Sequence, residues 1–283
     1  MNPTVSVYIP TKNRLSLFKR AIASVLSQTF RDVEVVVVSD GSDDGTNEYI
    51  ESLKSDLRIV FVKNKESLGA CAARNQALEI AKGRFITGLD DDDFFHSNRV
   101  ELFLKSWDRF SLNNVKFSCL FDVPVKIQAS GHVKPSLRSE VDCNSIRKSN
   151  GVGNYIFTER ERLIDVGMFD PNMPAWQDWD LWVRMIDRYG PALNTGSSTF
   201  SIDESHSGER ISTSDAHRIY DAMQRFRKKY SLEDLQAQNN LLLVYSRYPK
   251  ARVSIEDYIK LLSGFHFQAA FRILRQRKLG LRV

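Results

Sequence analysis

Two hydrophobic periods alternate in strict order along the first hundred residues, and no other feature of the chain restricts its fold as much. The short β-branched runs "VSVYIP" (5–10), "VEVVVVSD" (33–40), "RIVFVKN" (58–64) and "RFITGLD" (84–90) end in polar or turn residues. Continuous apolar runs of this length are how strands buried on both faces of a parallel sheet read. Between them lie "RLSLFKRAIASVLSQ" (14–28), "GTNEYIESLKS" (45–55) and "LGACAARNQALEIAK" (68–82), each with apolar residues three and four apart. Strand, helix, strand, helix predicts an α/β fold with a doubly wound, mainly parallel sheet. Ligands of such sheets bind beyond the carboxyl ends of the strands. Those ends carry Pro10 to Arg14, Asp40 to Thr46, Asn64 to Ala70 and Asp90 to Asp93.

The last of these ends lies in "GLDDDDFF" (88–95), where four carboxylates have apolar neighbours on both sides. Acidic runs ordinarily sit in polar surroundings and repel one another into solvent. Here the run reads either as a turn capping the helix that follows Ser97 or as a set of carboxylates relieved by a cation. Mg²⁺ and Mn²⁺ suit the second reading, because they take hard oxygen ligands and often use one or two carboxylates completed by phosphate and water. Asp93 reads as the cap.

Beyond a helix at 98–110 the rhythm changes. "VKFSCLF" and "VPVKIQASGHVKP" predict strands with a turn at Ser130-Gly131, and the polar "RSEVDCNSIRKSN" (138–150) predicts an exposed loop. "TERERLIDVGMFDP" and "QDWDLWVRMIDRYG" each predict a helix, ended by Gly167 and Gly190. "TFSIDESHSGERIST" reads as a strand feeding a loop. From about 215 onward the chain is helical, with Phe267, Ala270, Phe271 and Leu274 at helical spacing and Arg272, Arg275, Lys278 and Arg282 between and after them. This is a basic amphipathic helix, read either as a solvated face or as a peripheral membrane anchor.

Totals narrow the setting. The chain's 283 residues and 42% hydrophobic content suit one large domain or a domain with a tail. No apolar stretch approaches the roughly 20 residues that cross a bilayer. The N-terminus shows no basic segment followed by an apolar one, and three cysteines without a CxxC pair argue against a disulfide framework or a zinc site. A cytoplasmic setting is the expectation. The net charge of +5 is concentrated late, since residues 250–283 hold eight Lys or Arg against two acids.

The order of motifs, "VSVYIPTKNR", "VVSDGSDDGT", "LGACAARNQALEIAKG", "LDDDD" and "WQDWDLWVR", resembles a family 2 glycosyltransferase of the GT-A fold, over about residues 4 to 212. The resemblance implies an inverting transferase that moves a sugar from a nucleoside diphosphate sugar to an acceptor hydroxyl, with Mn²⁺ or Mg²⁺. It implies a GT-A catalytic domain at 1–213, with a nucleotide-binding half at 1–110 and an acceptor-binding half at 111–213, followed by a helical extension at 214–283. Asp90 to Asp92 match the family's DXD motif, with Asp92 the direct metal ligand and Asp90 and Asp91 facing the ribose or metal-bound water. A divalent ion there would neutralise the leaving diphosphate.

Pro10, Thr11, Asn13 and Arg14 follow the first strand, where they can contact nucleotide; Arg14 by itself also reads as a solvated helix start. Asp40 can accept a hydrogen bond from a base N–H, and by resemblance it recognises uracil; an Asx turn is the plainer reading of this residue. Arg74 sits among small residues that let its helix pack close to the sheet, and by resemblance it reaches the nucleotide; a surface salt bridge is its alternative. Inverting displacement needs a base for the acceptor proton. The resemblance maps that base to Asp178, against a helix N-cap reading, with Gln177 where many relatives carry Glu. Asp180 is second in line and is grouped with Trp176, a sugar-stacking candidate, as acceptor-binding. His206 reads either as a further metal ligand or as a plain loop histidine.

The donor expected is a UDP-sugar, and the acceptor a glycan on a polyprenyl diphosphate carrier in bacterial surface polysaccharide synthesis. The C-terminal basic helices would then lie on the cytoplasmic membrane face. Nucleic acid is not expected as a partner. Two rivals stand beside this reading. One is a sugar nucleotidyltransferase, against which "PTKNR" counts because it has no glycine. The other is a non-catalytic basic protein that binds membrane or nucleic acid.

Overall fold

The structure is a computed structural model that describes residues 2–128, 131–133, 138–203, 216–248, 250–264 and 266–275. Its first half contains β1 (Val5–Thr11), α1 (Leu15–Leu26), β2 (Val33–Asp40), α2 (Thr46–Ser52), β3 (Ile59–Asn64), α3 (Ala70–Ile80), β4 (Phe85–Gly88), β5 (Phe94–Phe95) and α4 (Arg99–Leu112). There follow β6 (Leu120–Phe121), β7 (Val125–Gln128), β8 (Gly131–Val133), β9 (Glu140–Val141), α5 (Cys143–Ile146), β10 (Ile156–Glu159), α6 (Arg160–Asp165), α7 (Gln177–Tyr189), β11 (Ala192–Asn194) and β12 (Phe200–Asp203). The chain then turns helical, with α8 (Ala216–Lys229), α9 (Leu235–Tyr245), α10 (Ile255–Ser263) and α11 (Phe267–Arg275).

The main sheet has eight strands in the order β3-β2-β1-β4-β10-β6-β11-β9, and a second sheet has four in the order β5-β12-β7-β8. The strands β3, β2, β1 and β4 are parallel, and β10 then joins β4 antiparallel. The expected double winding is visible in β2, whose eight residues are all buried. Successive side chains on a strand point to opposite faces. Val35 and Val37 pack with Phe18 and Ile22 of α1, while Val36 and Val38 pack with Ala73 and Ala77 of α3. Strand order reverses between β1 and β4, which opens a crevice at their carboxyl ends.

Two expectations are corrected. Residues 138–150 are not simply an exposed loop, because they contain β9, which pairs with β11, and α5, closed by a capping box between Asp142 and Ser145. Val141 and Ile146 are fully buried there, two apolar anchors hidden in a polar sequence. Asp93 does not cap the next helix. That helix begins at Arg99 after Asn98, and Asp93 is buried in a hydrogen bond from the Tyr155 hydroxyl.

The helices after residue 215 are part of the body of the protein. Ile219, Phe226, Leu241, Leu261 and Ile273 belong to the same core cluster as Tyr8 and Val36 of the sheet. In α11 the expected apolar repeat divides, with Ala270 and Ile273 buried while Phe267, Phe271 and Leu274 stand exposed. On α10, Ile255, Ile259 and Leu262 form a second exposed apolar row. Among the described residues, no helix is long and apolar enough to cross a membrane. Lys278 and Arg282 lie outside the described residues.

Candidate active site

A cavity of about 800 Å³ opens at the crevice between β1 and β4. Its floor depends on Gly88, since a Cβ there would come within 2.4 Å of the Tyr8 ring. Glycine in that strand lets the Tyr8 side chain lie across it.

The ends of β1 and β4 form one wall. Pro10, Thr11, Asn13 and Arg14 line it, together with Asp90 to Asp93. Thr11 Oγ1 donates to Asp91 at 2.8 Å, and Arg14 reaches Asp91 at 3.0 Å and Asp92 at 3.1 Å. Arg14 is therefore no solvated helix start. Asn13 adopts a left-handed φ of 51° and clasps the β1 and β2 ends, accepting from the Asp43 N–H while its own N–H donates to Ser42. Arg74 ion-pairs with Asp90 at 2.8 Å. Burial disfavours its charge, but the neighbouring Asp90 outweighs this and raises its pKa.

Burial weighs on this acidic run more than its partners offset, and the neighbouring carboxylates add to it. Burial lifts the Asp91 carboxyl to about 6, against Arg14 and Thr11, with the charge of Asp92 adding to the rise. It lifts Asp93 to about 8, against the Tyr155 hydrogen bond, with Asp92 and Asp90 adding again. A hard divalent cation fits such a donor set chemically. Among the described residues no three His, Cys, Asp or Glu converge to hold an ion by themselves. An ion at Asp92 would thus draw ligands from phosphate and water, as Mg²⁺ commonly does.

Asp40 lines the cavity, yet its carboxylate is fully engaged. Oδ1 accepts from Asn64 and the Leu68 N–H, and Oδ2 accepts from the Ser67 hydroxyl and the Gly69 N–H. A carboxylate offers about four acceptor sites. Partial burial works to raise its pKa, but these bonds outweigh burial and hold the carboxyl below its ordinary value. The loop it gathers passes so close to Gly41 (φ 74°) that a Cβ there would meet Ser67 N at 2.8 Å. A base N–H could bond Asp40 only by exchanging with one of these donors.

The facing wall comes from the start of α7. Trp176 stands just before the helix with a left-handed φ of 58°, and Gln177 and Asp178 follow it into the cavity. Non-glycine residues held there carry strain, which gathers at functional sites. Asp178 is the second helical residue and not the N-cap; it is half-buried and accepts from Asn150 Nδ2 at 3.0 Å. Burial raises its pKa, opposed by the Trp179 N–H and by Arg74 and aided by Asp90. Gln177 Oε1 faces Arg74 at 3.5 Å.

One predicted residue falls elsewhere. Asp180 is fully buried away from the cavity, bonded to Arg184 at 2.9 Å, Lys229 at 2.8 Å and the Tyr230 hydroxyl at 2.7 Å. Two residues along a helix is roughly a half-turn, so Asp178 and Asp180 face different ways and Asp180 cannot meet acceptor. His206 lies outside the described residues. Trp176 keeps only 7% of its surface, packed on Trp179 and Phe226.

Reading the sequence missed Tyr155, Ile219 and Tyr248, all of which line the cavity. Tyr155 accepts from the Asp90 N–H at 3.1 Å and donates to Asp93, which steadies the acidic run from behind. Ile219 and Tyr248 come from the C-terminal helical region, and no local pattern marks either. Arg20 was missed too; it donates to the Asp92 carbonyl and pairs with Asp203 at the end of β12.

The sequence profile described as glycosyl transferase family 2 matches residues 6–126. The chain is 31% identical over 269 residues to the putative colanic acid biosynthesis glycosyl transferase WcaA of Escherichia coli K12, covering 93% of this chain and 94% of that one. It is 40% identical over 202 residues to the E. coli UDP-Glc:alpha-D-GlcNAc-diphosphoundecaprenol beta-1,3-glucosyltransferase WfaP, covering 68% and 73%. Among solved structures it is similar to S. aureus TarS in complex with UDP-GlcNAc, with a TM-score of 0.68 at 20% identity over 85% of this chain and 70% of that one. It is also similar to the mannosyltransferase PcManGT of Pyrobaculum calidifontis in complex with GDP-Man and Mn²⁺, with a TM-score of 0.58 at 16% identity over 98% and 85%. At such identities the two structures speak to the fold alone.

Proposed function

The chain belongs to glycosyl transferase family 2, and from that premise we propose that it transfers a sugar, with inversion, from a UDP-sugar to a hydroxyl of a lipid-linked glycan in bacterial surface polysaccharide synthesis. The observation that carries this is the pairing, within one cavity, of an arginine-clamped acidic run with a half-buried aspartate of raised pKa. In this reading residues 1–110 hold the donor and residues 111–213 the acceptor, with 214–283 as a helical extension.

Arg14, Arg74 and the backbone near Thr11 and Asn13 bind and orient the nucleotide diphosphate, and the loop gathered by Asp40 borders the base. Asp92, with Asp90 and Asp91 beside it and His206 as a further candidate, would hold Mn²⁺ or Mg²⁺. Such an ion supplies positive charge where the leaving diphosphate develops negative charge. Asp178 takes the proton of the attacking hydroxyl; its raised pKa brings it nearer the range where a carboxylate works as a base at neutral pH.

The UDP and polyprenyl assignments draw on what the names of WfaP and the TarS complex state of those proteins. Peripheral attachment to the cytoplasmic membrane face draws on the exposed apolar rows of α10 and α11 and the basic excess of residues 250–283. Calorimetric titration with UDP in the presence and absence of Mn²⁺ tests the donor site. Wild type is expected to bind UDP at least tenfold tighter with Mn²⁺, and Asp92→Ala is expected to lose that difference; an unchanged metal effect would overturn the assignment.

A further inference from the structure

Resting on this reading of Asp178 as the base, we infer that Tyr248 forms the acceptor-sugar subsite, so that the C-terminal helical region selects the acceptor. Trp176, the residue that local sequence favours for stacking a sugar, is almost closed off. Its ring packs on Trp179 at 4.7 Å and on Phe226 at 5.9 Å, and its indole N–H is spent on the Tyr248 hydroxyl at 2.8 Å. Tyr248 keeps part of its surface open and lines the cavity. The Trp176 hydrogen bond fixes the orientation of its ring.

Tyr248 also stands within the electrostatic reach of Asp178, whose charge adds to burial in raising the tyrosine's pKa. A sugar ring has an apolar C–H face and a hydroxylated edge. A partly open tyrosine ring with a carboxylate lining the same cavity matches both parts. A hydroxyl of a sugar seated there comes next to the group that must take its proton.

The placement is held from behind by Asp180. Its ion pair with Lys229 and its hydrogen bond from Tyr230 tie the helix carrying Asp178 to α8 and its end. The start of that helix is also bonded to Tyr248 itself, through Trp176.

Saturation-transfer NMR with the methyl glycosides of glucose, galactose, mannose and N-acetylglucosamine, in the presence of UDP and Mg²⁺, tests the inference on the full chain. Wild type is expected to saturate the ring protons of at least one glycoside. Tyr248→Ala, and the better-packed Tyr248→Leu, should weaken that signal at least fivefold, Tyr248→Phe, which keeps the ring but loses the Trp176 bond, should weaken it less than either, and UDP affinity should stay within threefold in all. No signal from wild type with any glycoside, an unchanged signal in both Tyr248→Ala and Tyr248→Leu, or an equal loss of UDP binding would overturn it. Failure of the base assignment looks different, namely Asp178→Asn retaining transfer whatever the Tyr248 variants do.

Discussion

The two walls of the cavity are built by opposite means. The wall at the ends of β1, β2 and β4 is made of charges on short turns, each a few residues beyond a buried parallel strand. Arg14, Arg74, Thr11 and Tyr155 hold its carboxylates by ion pairs and hydrogen bonds. The facing wall sets Gln177 and Asp178, from the start of α7, among aromatic and apolar side chains that include Tyr248 of the C-terminal helical region. Trp176, Trp179, Phe226 and Tyr230 form a continuous chain of tilted and edge-on ring contacts behind it. One wall is electrostatic and locally encoded, and the other is packed and assembled from distant segments.

Changes at the facing wall should separate chemistry from binding. Asp178→Asn is expected to lower transfer about a thousandfold, within the range lost with a general base, while leaving UDP affinity within threefold by calorimetry. In wild type the rate should rise with pH through an apparent pKa above the ordinary aspartate value, because the deprotonated form is the active one and burial raises that pKa. The substitution should remove this acid limb. If Asp178→Asn weakened UDP binding as much as it slowed transfer, the two walls would not be functionally distinct.

The next effect is on stability. Asp180→Ala leaves Arg184 and Lys229 without their buried partner and removes the acceptor of the Tyr230 hydroxyl. Lys229 is partly exposed and keeps Asp170, and Arg184 keeps the Val166 and Met168 carbonyls, so the cost is that of donors losing one acceptor, about 1–3 kcal/mol. Thermal unfolding of Asp180→Ala should therefore begin at a markedly lower temperature, with the C-terminal helices lost first as read by limited proteolysis. An unchanged melting temperature would mean that the helical region is not anchored through α7.

The smallest expected effect is at an exposed surface that does not line the cavity. Phe267 and Phe271 are 58% and 68% exposed on α11. Burying a phenylalanine in an apolar medium is worth about 1.5–3 kcal/mol, so Phe271→Ser should weaken binding to anionic vesicles about tenfold in a flotation assay. Raising the salt should weaken it further, since the basic residues act within a Debye length. Wild type that fails to float with anionic vesicles would remove the membrane assignment and leave the cavity untouched.

The contrast between the walls is also a contrast in what could be read beforehand. β2 and its neighbours were legible because apolar runs and helical stripes report their own burial. The acidic run was legible because four adjacent carboxylates between apolar residues need a reason. Asp93 was misread, since a cap and a buried acceptor for Tyr155 look alike without the partner 62 residues away. Asp180 was misread for the same reason, because its partners Lys229 and Tyr230 follow about fifty residues later. Tyr248 left no local signal at all.

What the amino-acid order by itself determined is the parallel part of the sheet and the charged edge of the cavity: period, turn chemistry and charge are short-range properties, and the ends of successive parallel strands must meet at one edge of the sheet. What only the tertiary structure decided is which side chains of similar chemistry point into the cavity. Asp178 and Asp180, or Trp176 and Tyr248, are told apart by the helix face and the packing partners that each receives, and those partners are distant in the chain.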